Sequence, residues 1–135
     1  MQITAEERRK LIEHAIDARK RAYAPYSNYA VGAALMTASG KIITGVNVEN
    51  AAYPTSMCAE RTAVFSAVAQ GERAFRAIAV VTDNGGTPCG SCRQVLSEFG
   101  LDTLVTIARA DGQVVLETTV AGLLPEAFGP SKLGR

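Results

Sequence analysis

The chain has 135 residues, of which 47% are hydrophobic and 20% are charged, and its formal net charge is +1. This composition argues against a disordered chain, a membrane span and the large cationic surface that a polynucleotide partner requires. The length is typical of one domain, so the sequence predicts a single domain over residues 1–135.

The first twenty residues are charged throughout and lack an apolar core of signal-peptide length. We therefore expect a cytoplasmic protein with no membrane partner. The three cysteines, Cys58, Cys89 and Cys92, are an odd number. In a reducing compartment such a set fits thiolate ligands better than disulfides.

The first predicted element is a helix. Thr4 and Glu7 have the spacing of a capping box, and apolar residues then recur on one face up to about Ala22. The only histidine, His14, is expected on or near the solvated side of this helix. Residues 24–28 break the helix, because they contain proline, serine and asparagine.

Two β-like runs follow, over residues 29–38 and 41–48, and Ser39-Gly40 joins them. The alternation and the turn residues predict a β-hairpin.

The second helix is predicted to begin at Cys58 and to stop near Gly71, with an apolar stripe between them. A short apolar run over residues 77–82 then suits a strand that is buried on both faces.

Thr87 and Pro88 resemble a helix cap followed by a proline in the first turn, so the third helix is predicted to begin at Cys89 and to end near Gly100. Asp111-Gly112 predicts a second hairpin with strands over residues 104–108 and 113–119. Thr119 is expected to cap a short last helix that Pro125 interrupts.

This order of elements predicts an α/β fold, a three-layer α-β-α sandwich with a mixed five-stranded sheet. Sites in such sheets gather where strands lead into helix amino termini, and here two predicted helix starts carry cysteines. The topology and the cysteines therefore indicate the same place in the fold.

Three cysteines around one ion would form an open metal site, since structural zinc sites almost always use four protein ligands and catalytic sites use three. The alternative is a redox pair of Cys89 and Cys92, with Cys58 as a small buried hydrophobic residue. Glu60, two residues beyond Cys58, and Pro88, immediately before Cys89, favour the metal.

The spacing also makes geometric predictions. Cys58 and Glu60 can share a site only if Cys58 lies in the very first helical turn or just before it, whereas Cys89 and Cys92 are three apart and share one face. Three thiolates make a zinc site negative, so we hypothesise that Arg61 donates hydrogen bonds to a ligand thiolate. The alternative is that Arg61 is an ordinary exposed arginine on a helix. Arg93 is a weaker candidate for the same hydrogen bond to a thiolate.

Glu60 is the candidate proton carrier, because a carboxylate beside a metal-activated water can take its proton and deliver it to a leaving group. Zinc deaminases show the pattern H-x-E with P-C-x-x-C, in which cysteine can replace histidine.

At these residues the chain closely resembles the small homotetrameric cytidine deaminases that act on free nucleosides. The matching segments run in order along nearly the whole chain: Ala24-Pro25-Tyr26-Ser27, Val31-Gly32-Ala33-Ala34, residues 45–53, Cys58-Ala59-Glu60-Arg61-Thr62-Ala63, residues 88–95, Leu123-Leu124-Pro125 and Phe128-Gly129-Pro130.

The resemblance implies a cytidine deaminase-like fold and hydrolytic deamination of cytidine and 2′-deoxycytidine to uridine and 2′-deoxyuridine, with release of ammonia, in pyrimidine salvage. Zn²⁺ would be held by the three cysteines, zinc-bound hydroxide would attack C4 of the base, and Glu60 would shuttle protons.

The resemblance also implies the substrate-binding residues. Asn47 and Glu49 match a ribose-binding pair, as two residues that point the same way from a strand. The other implied substrate contacts are Tyr29, Ala59, Tyr53 and Phe128, with Phe128 reaching the site of a neighbouring subunit in a homotetramer whose active sites are shared.

Three features depart from the family pattern. Tyr29 stands where many relatives have phenylalanine. The connection over residues 83–87 is shorter than in several relatives, and residues 55–57 differ from the sequence that is commonest before the first cysteine ligand. Because the last two flank the pocket, the range of substrates stays open while the reaction type does not. A related deaminase of another cytosine-containing compound is the alternative function. A non-catalytic zinc protein is a third reading, against which Glu60 argues.

Overall fold

The computed structural model describes residues 2–135. Its helices and strands follow one another in the order α1 Ala5–Arg19, β1 Gly32–Thr37, β2 Ile42–Val46, α2 Ala59–Ala69, β3 Phe75–Thr82, α3 Gly90–Glu98, β4 Leu104–Arg109, β5 Val114–Thr119 and α4 Val120–Leu123. Short 3₁₀ turns lie at Tyr53–Thr55 and Pro130–Leu133.

The five strands form one mixed sheet in the order β2-β1-β3-β4-β5. Only the central pair β3 and β4 is parallel, and α3 provides the crossover that a parallel pair requires. The other three pairs are antiparallel. The predicted mixed five-stranded sheet is therefore confirmed.

Helices cover both faces of the sheet. Leu11, Ile12 and Ala15 of α1 pack on one face, against small residues that include Ala34 and Ala79. Helices α2 and α3 pack on the other face, in a second buried cluster that contains Val64, Leu96 and Ile78. This arrangement confirms the three-layer α-β-α sandwich.

Gly45 of β2 allows α2 to approach the sheet very closely. A Cβ atom at this position would lie 2.4 Å from both the carbonyl oxygen of Ala59 and the backbone nitrogen of Ala63. Both are backbone atoms, so a side chain here would push the first turn of α2 away from the sheet. Glycine at this position thus helps to place the amino end of α2.

The start of α1 agrees with the sequence. The Glu7 backbone N–H donates to Thr4 Oγ1 over 3.0 Å, and the Thr4 N–H donates to the Glu7 carboxylate over 2.9 Å. The predicted end of α1 near Ala22 is wrong, since the helix stops at Arg19. The next backbone N–H groups bond to carbonyls three residues back, which forms a tighter turn. His14 is exposed, as expected.

The first hairpin is shorter than predicted, because β1 begins at Gly32 instead of Tyr29, and β2 ends at Val46. The side chain of Asn47 explains the late start. Its amide nitrogen donates to the Tyr29 carbonyl over 2.7 Å, and its oxygen accepts from the Val31 N–H over 2.9 Å. A side chain therefore replaces the strand partner at these two residues.

The start of α3 needs one correction. The N-cap is Cys89, with extended backbone angles, and not Thr87. Pro88 consequently lies outside the helix, and Thr87 uses its hydroxyl to accept a hydrogen bond from Arg93 over 3.0 Å. The helix ends at Glu98, close to the predicted stop.

The second hairpin and the last helix form where the sequence predicts them. Gly112 has a φ of 91° in the turn between β4 and β5, and Thr119 Oγ1 accepts from the Gly122 N–H over 3.1 Å at the start of α4. Helix α4 ends at Leu123, two residues before Pro125. Within residues 2–135, no helix has both the length and the apolar character needed to cross a bilayer.

Candidate active site

The three cysteines lie at the starts of two helices on the same side of the sheet. Cys58 is the N-cap of α2, with φ −78° and ψ 153°, and Cys89 is the N-cap of α3. Cys92 follows within the first turn of α3 and is buried. The predicted placement of Cys58 just before the first turn is confirmed, and it leaves Glu60 as the second residue of α2.

The three sulfur atoms form one cluster. The Cys58 and Cys89 sulfurs are 3.8 Å apart, those of Cys89 and Cys92 are 3.5 Å apart, and all three lie within 4.8 Å of one another. A tetrahedral zinc ion with Zn–S bonds of ~2.3 Å needs S–S separations of ~3.8 Å. The donor set therefore fits zinc, and the position of Cys58 within the cluster argues against a separate redox pair.

Arg61 lies beside this cluster, as hypothesised. Its Nη2 donates to the Cys58 sulfur over 3.4 Å. Hydrogen bonds from Cys92 and then from Arg61 lower the pKa of Cys58 to about 5. The same bond to the Cys58 thiolate, together with burial, raises the pKa of Cys92. The cluster thus favours negative charge at Cys58, which suits a cation ligand.

Glu60 is buried next to the sulfur cluster, with only 5% of its surface exposed. Burial, with a smaller contribution from the Cys58 charge, raises the pKa of its carboxyl group to about 7. A carboxyl group in this environment can take up or release a proton near neutrality.

A cavity of about 280 Å³ opens onto the cluster. Cys58, Cys89 and Glu60 are among the residues that line it. Its other walls come from the segment before β1, the chain between β2 and α2, strand β3 and the connection to α3: Ser27, Tyr29, Val31, Asn47, Glu49, Ser56, Met57, Val80, Thr82, Gly86 and Thr87. The volume is of the order that small-molecule pockets have.

Asn47 and Glu49 line this cavity together, although both lie beyond the last residue of β2. Asn47 is 8% exposed and bonds to the segment before β1. The Glu49 carboxylate accepts from the backbone N–H groups of Tyr26 and Ser27 over 2.9 and 3.0 Å, and from the Ser27 hydroxyl. The Ser27 hydroxyl bond, followed by these N–H bonds, lowers the pKa of Glu49.

The four remaining predicted contact residues differ in position. Tyr29 lines the cavity, whereas Tyr53 and Tyr26 line an adjoining cavity of about 260 Å³. Tyr53 is 68% exposed. Ala59 is 0% exposed, so its methyl group belongs to the core. Phe128 is 58% exposed and is not among the residues that line the cavity of its own chain.

Sequence reasoning missed two side chains that build this site. Ser27 holds Glu49, and Asn84 accepts a hydrogen bond from the Tyr29 hydroxyl over 2.7 Å. The segment Ala24-Pro25-Tyr26-Ser27 carried a signal, but its spacing could not show which residue it would contact. Arg93 has a different role from Arg61, since it donates to the carbonyls of Pro88 and Leu123 and to Thr87.

A larger cavity of about 390 Å³ lies between the amino end of α1 and strands β4 and β5. The exposed ion pair of Arg8 and Glu117 lies on its wall. Because it contains none of the predicted site residues, we assign the chemistry to the smaller cavity.

Comparisons with known proteins agree with this geometry. The sequence model of the cytidine and deoxycytidylate deaminase zinc-binding region matches residues 5–108. A cytidine deaminase of Sporosarcina psychrophila is 49% identical over 129 residues, which are 92% of this chain and 93% of that protein. A cytidine deaminase of Halalkalibacterium halodurans is 49% identical over 125 residues, 90% of this chain and 94% of that protein.

Solved structures show the same likeness. The crystal structure of cytidine deaminase from Burkholderia pseudomallei is 50% identical, has a TM-score of 0.85, and the match covers 93% of this chain and 100% of that one. With 104 of the 135 residues matched by the family model, counted from residue 5 to residue 108, this chain belongs to the cytidine and deoxycytidylate deaminase family.

Proposed function

We propose that this protein is a zinc-dependent enzyme that deaminates cytidine and 2′-deoxycytidine to uridine and 2′-deoxyuridine and releases ammonia, as part of pyrimidine salvage. The observation that carries the proposal is the buried carboxyl group of Glu60, which lines the same cavity as Cys58 and Cys89. A metal that serves assembly alone needs no such proton carrier. Relatives named cytidine deaminase, at about half identity, support the same activity.

Cys58, Cys89 and Cys92 would hold the zinc ion, which leaves a fourth position for water or substrate. When bound, zinc supplies the Lewis acidity that makes a water molecule reactive near neutral pH. The amino ends of α2 and α3, each with a partial positive charge of roughly +0.5, and Arg61 offset the negative charge of the three thiolates.

Glu60 carries the protons. Its carboxylate takes one proton from the attacking water and gives it to the ring nitrogen N3, while the water oxygen bonds to C4. It then moves the second proton from that oxygen to the amino group, which leaves as ammonia. One water is consumed and one ammonia released, and the oxygen remains as the new carbonyl group.

Asn47 and Glu49 would bind the sugar. A side-chain amide offers two N–H donors, and Asn47 uses one of them on the Tyr29 carbonyl. A carboxylate offers roughly four acceptor positions, and three donors occupy Glu49 here. One donor and one acceptor therefore remain for sugar hydroxyls in the cavity.

The base would contact Tyr29, whose ring lines the cavity and can stack on a pyrimidine. Any contact from Ala59 would use its backbone, because its side chain is buried in the core.

The homotetramer with shared sites is part of the proposal. Apolar side chains that the single chain leaves exposed support it: Tyr26, Tyr53, Phe65, Leu101, Leu116, Phe128 and Leu133. Tyr53 lines the adjoining cavity, which shares Ser27, Glu49 and Ser56 with the first, and Phe128 would serve a neighbouring subunit. The cytoplasmic location stays a prediction from the sequence.

The test is ammonia release by the zinc-loaded protein from four compounds, namely cytidine, 2′-deoxycytidine, cytosine and cytidine monophosphate. We expect turnover of both nucleosides and little of the free base, because Asn47 and Glu49 would then lack their sugar. Turnover of neither nucleoside would overturn the proposal. Turnover of a different cytosine compound alone would instead support the related deaminase left open by the sequence.

A further inference from the structure

The 83–87 loop connects β3 to α3 and leads directly to Pro88 and Cys89. Gly86 and Thr87 of this loop line the cavity that contains Glu60. The position of the loop therefore affects the shape of the cavity.

Both ends of the 83–87 loop are held by bonds that do not involve Tyr29. At the β3 end, the buried Thr82 hydroxyl accepts from the N–H groups of Gly85 and Gly86 over 2.8 and 2.9 Å. Arg19 also pairs with Asp83. At the α3 end, Arg93 donates to the Pro88 carbonyl over 2.7 Å. Cys89 is thus anchored independently of what happens in the middle of the loop.

The middle of the 83–87 loop is tied across to the segment before β1. The Tyr29 hydroxyl donates to Asn84 Oδ1 over 2.7 Å. This bond joins two separate segments of the cavity wall, since Tyr29 and Gly86 both line the cavity.

Gly86 fits tightly under the same hydroxyl. A Cβ atom on Gly86 would lie 2.5 Å from Tyr29 Oη, while the next atoms, Asn84 Oδ1 and Tyr29 Cζ, would be 3.7 Å away. The hydroxyl is thus the one atom that leaves no room for a methyl group. A phenylalanine at position 29 would leave ordinary van der Waals distances.

We propose that the Tyr29 hydroxyl, held by Asn84, fixes the 83–87 loop as a wall of the substrate cavity and thereby strengthens nucleoside binding. Asn84 is a positioning residue, because it acts through Tyr29. The effect on nucleoside binding rests on the proposed deamination, whereas the contact between Tyr29 and Gly86 does not.

The kinetic test compares Tyr29→Phe, Asn84→Ala and the double variant. Loss of one neutral hydrogen bond should raise KM for cytidine about threefold to tenfold. Since Arg93 anchors Cys89 separately, kcat should stay within about twofold and zinc content should not change. The double variant should resemble Asn84→Ala, because both lack the Tyr29–Asn84 bond and also the longer bond that the Thr82 hydroxyl donates to Asn84 over 3.4 Å.

Two further variants show whether the bond itself matters. Asn84→Asp keeps an acceptor oxygen and should retain a lower KM than Asn84→Ala. Tyr23→Phe removes a hydroxyl from an exposed tyrosine, which is not among the residues that line the cavity, and should leave KM unchanged. An unchanged KM in Tyr29→Phe, or a fall in kcat together with zinc loss, would overturn the proposal.

The steric part is tested without substrate, by thermal unfolding of Gly86→Ala in two backgrounds. Gly86→Ala should lower Tm in the wild-type background and lower it much less in the Tyr29→Phe background. An equal loss of Tm in both would overturn the contact. If the protein turned over no nucleoside, the proposed function would fail while this unfolding result would still decide the coupling of positions 29 and 86.

Discussion

Arg61 donates from Nη2 to the sulfur of Cys58 over 3.4 Å, and the two residues are separated by less than one turn of α2. Hydrogen bonds from Cys92 and then from this positive side chain lower the pKa of the Cys58 thiol to about 5. The contact links the first ligand of the sulfur cluster to the helix that also carries Glu60.

The first prediction concerns this contact. Arg61→Gln should weaken zinc binding about tenfold to a hundredfold, the usual effect of losing a partner of a metal ligand. Competition against a chromogenic chelator measures it. The zinc affinity of Arg61→Lys should lie between those of the wild type and Arg61→Gln, because lysine keeps the positive charge but lacks the planar guanidinium group.

Arg73→Gln is the control for loss of one positive charge, since Arg73 is exposed in the connection between α2 and β3. If Arg61→Gln retained zinc as well as the wild type does, the role assigned to Arg61 would be wrong.

Glu60→Gln should lower kcat by about a hundredfold to ten-thousandfold, the usual contribution of a general acid–base group. Because glutamine nearly preserves the shape, and Glu60 is not one of the three clustered sulfur donors, zinc content and Tm should change little. Steady-state ammonia release measures kcat, elemental analysis of the same sample measures zinc content, and thermal unfolding measures Tm. A variant with a near-normal rate would remove Glu60 from the mechanism.

Gly45→Ala should destabilise the fold by about 1–3 kcal/mol or more, the range for overpacked cores. The new methyl group would collide with backbone atoms of Ala59 and Ala63, so α2 has to move. Urea unfolding measures the loss. Gly90→Ala is the matched control, because open space surrounds Gly90 in α3, and alanine there should be neutral or slightly stabilising. Equal stability of the two variants would contradict the close approach.

The pH dependence of stability should include a contribution from Glu7. Its bond to the Thr4 backbone N–H, and then its bond to Arg76, lower the pKa of Glu7 below the ordinary value of 4.5. A carboxyl group whose folded-state pKa is lowered stabilises the fold above its unfolded-state pKa. This stabilisation is lost as the pH falls through the folded-state pKa.

Unfolding free energies between about pH 6 and about pH 3 should therefore fall less steeply for Glu7→Gln than for the wild type. Glu13→Gln, which removes a carboxylate that pairs with exposed Arg9 on the same helix, provides the comparison. Identical slopes for Glu7→Gln and the wild type would show that this group does not contribute.

The proposed sharing of active sites between subunits predicts complementation between two defective variants. We expect Glu60→Gln to be inactive and Phe128→Ala to be weakened. When the two are unfolded, mixed and refolded together, some sites combine an intact Glu60 with an intact Phe128 from the neighbour. Activity should then exceed the sum of the separately refolded proteins. An additive result would argue that each site is complete within one chain.

Local signals in the sequence were sufficient where neighbouring residues alone decide the structure. The Thr4–Glu7 capping box and the hairpin at Asp111-Gly112 formed as predicted. Cys58 also lies where the spacing to Glu60 required. Each of these depends on contacts within a few residues.

Distant contacts explain what the sequence could not predict. The late start of β1 depends on Asn47, sixteen residues beyond Val31, and the Tyr29–Asn84 bond spans 55 positions. The predicted cap at Thr87 failed because its hydroxyl instead bonds to Arg93. Similarly, Ser27 could not be recognised as the partner of Glu49, since β1 and β2 separate them.

The register of β3 decides which of its side chains face the cavity. Val80 faces the cavity and Val81 packs on the α1 side, so a slip of one residue would exchange the two faces. Such a slip would also shift the chain that leads from Thr82 to Cys89, while Cys58 stays on a different segment. Zinc-dependent turnover would therefore report correct strand register, and misaligned molecules in a refolded sample would count as inactive protein.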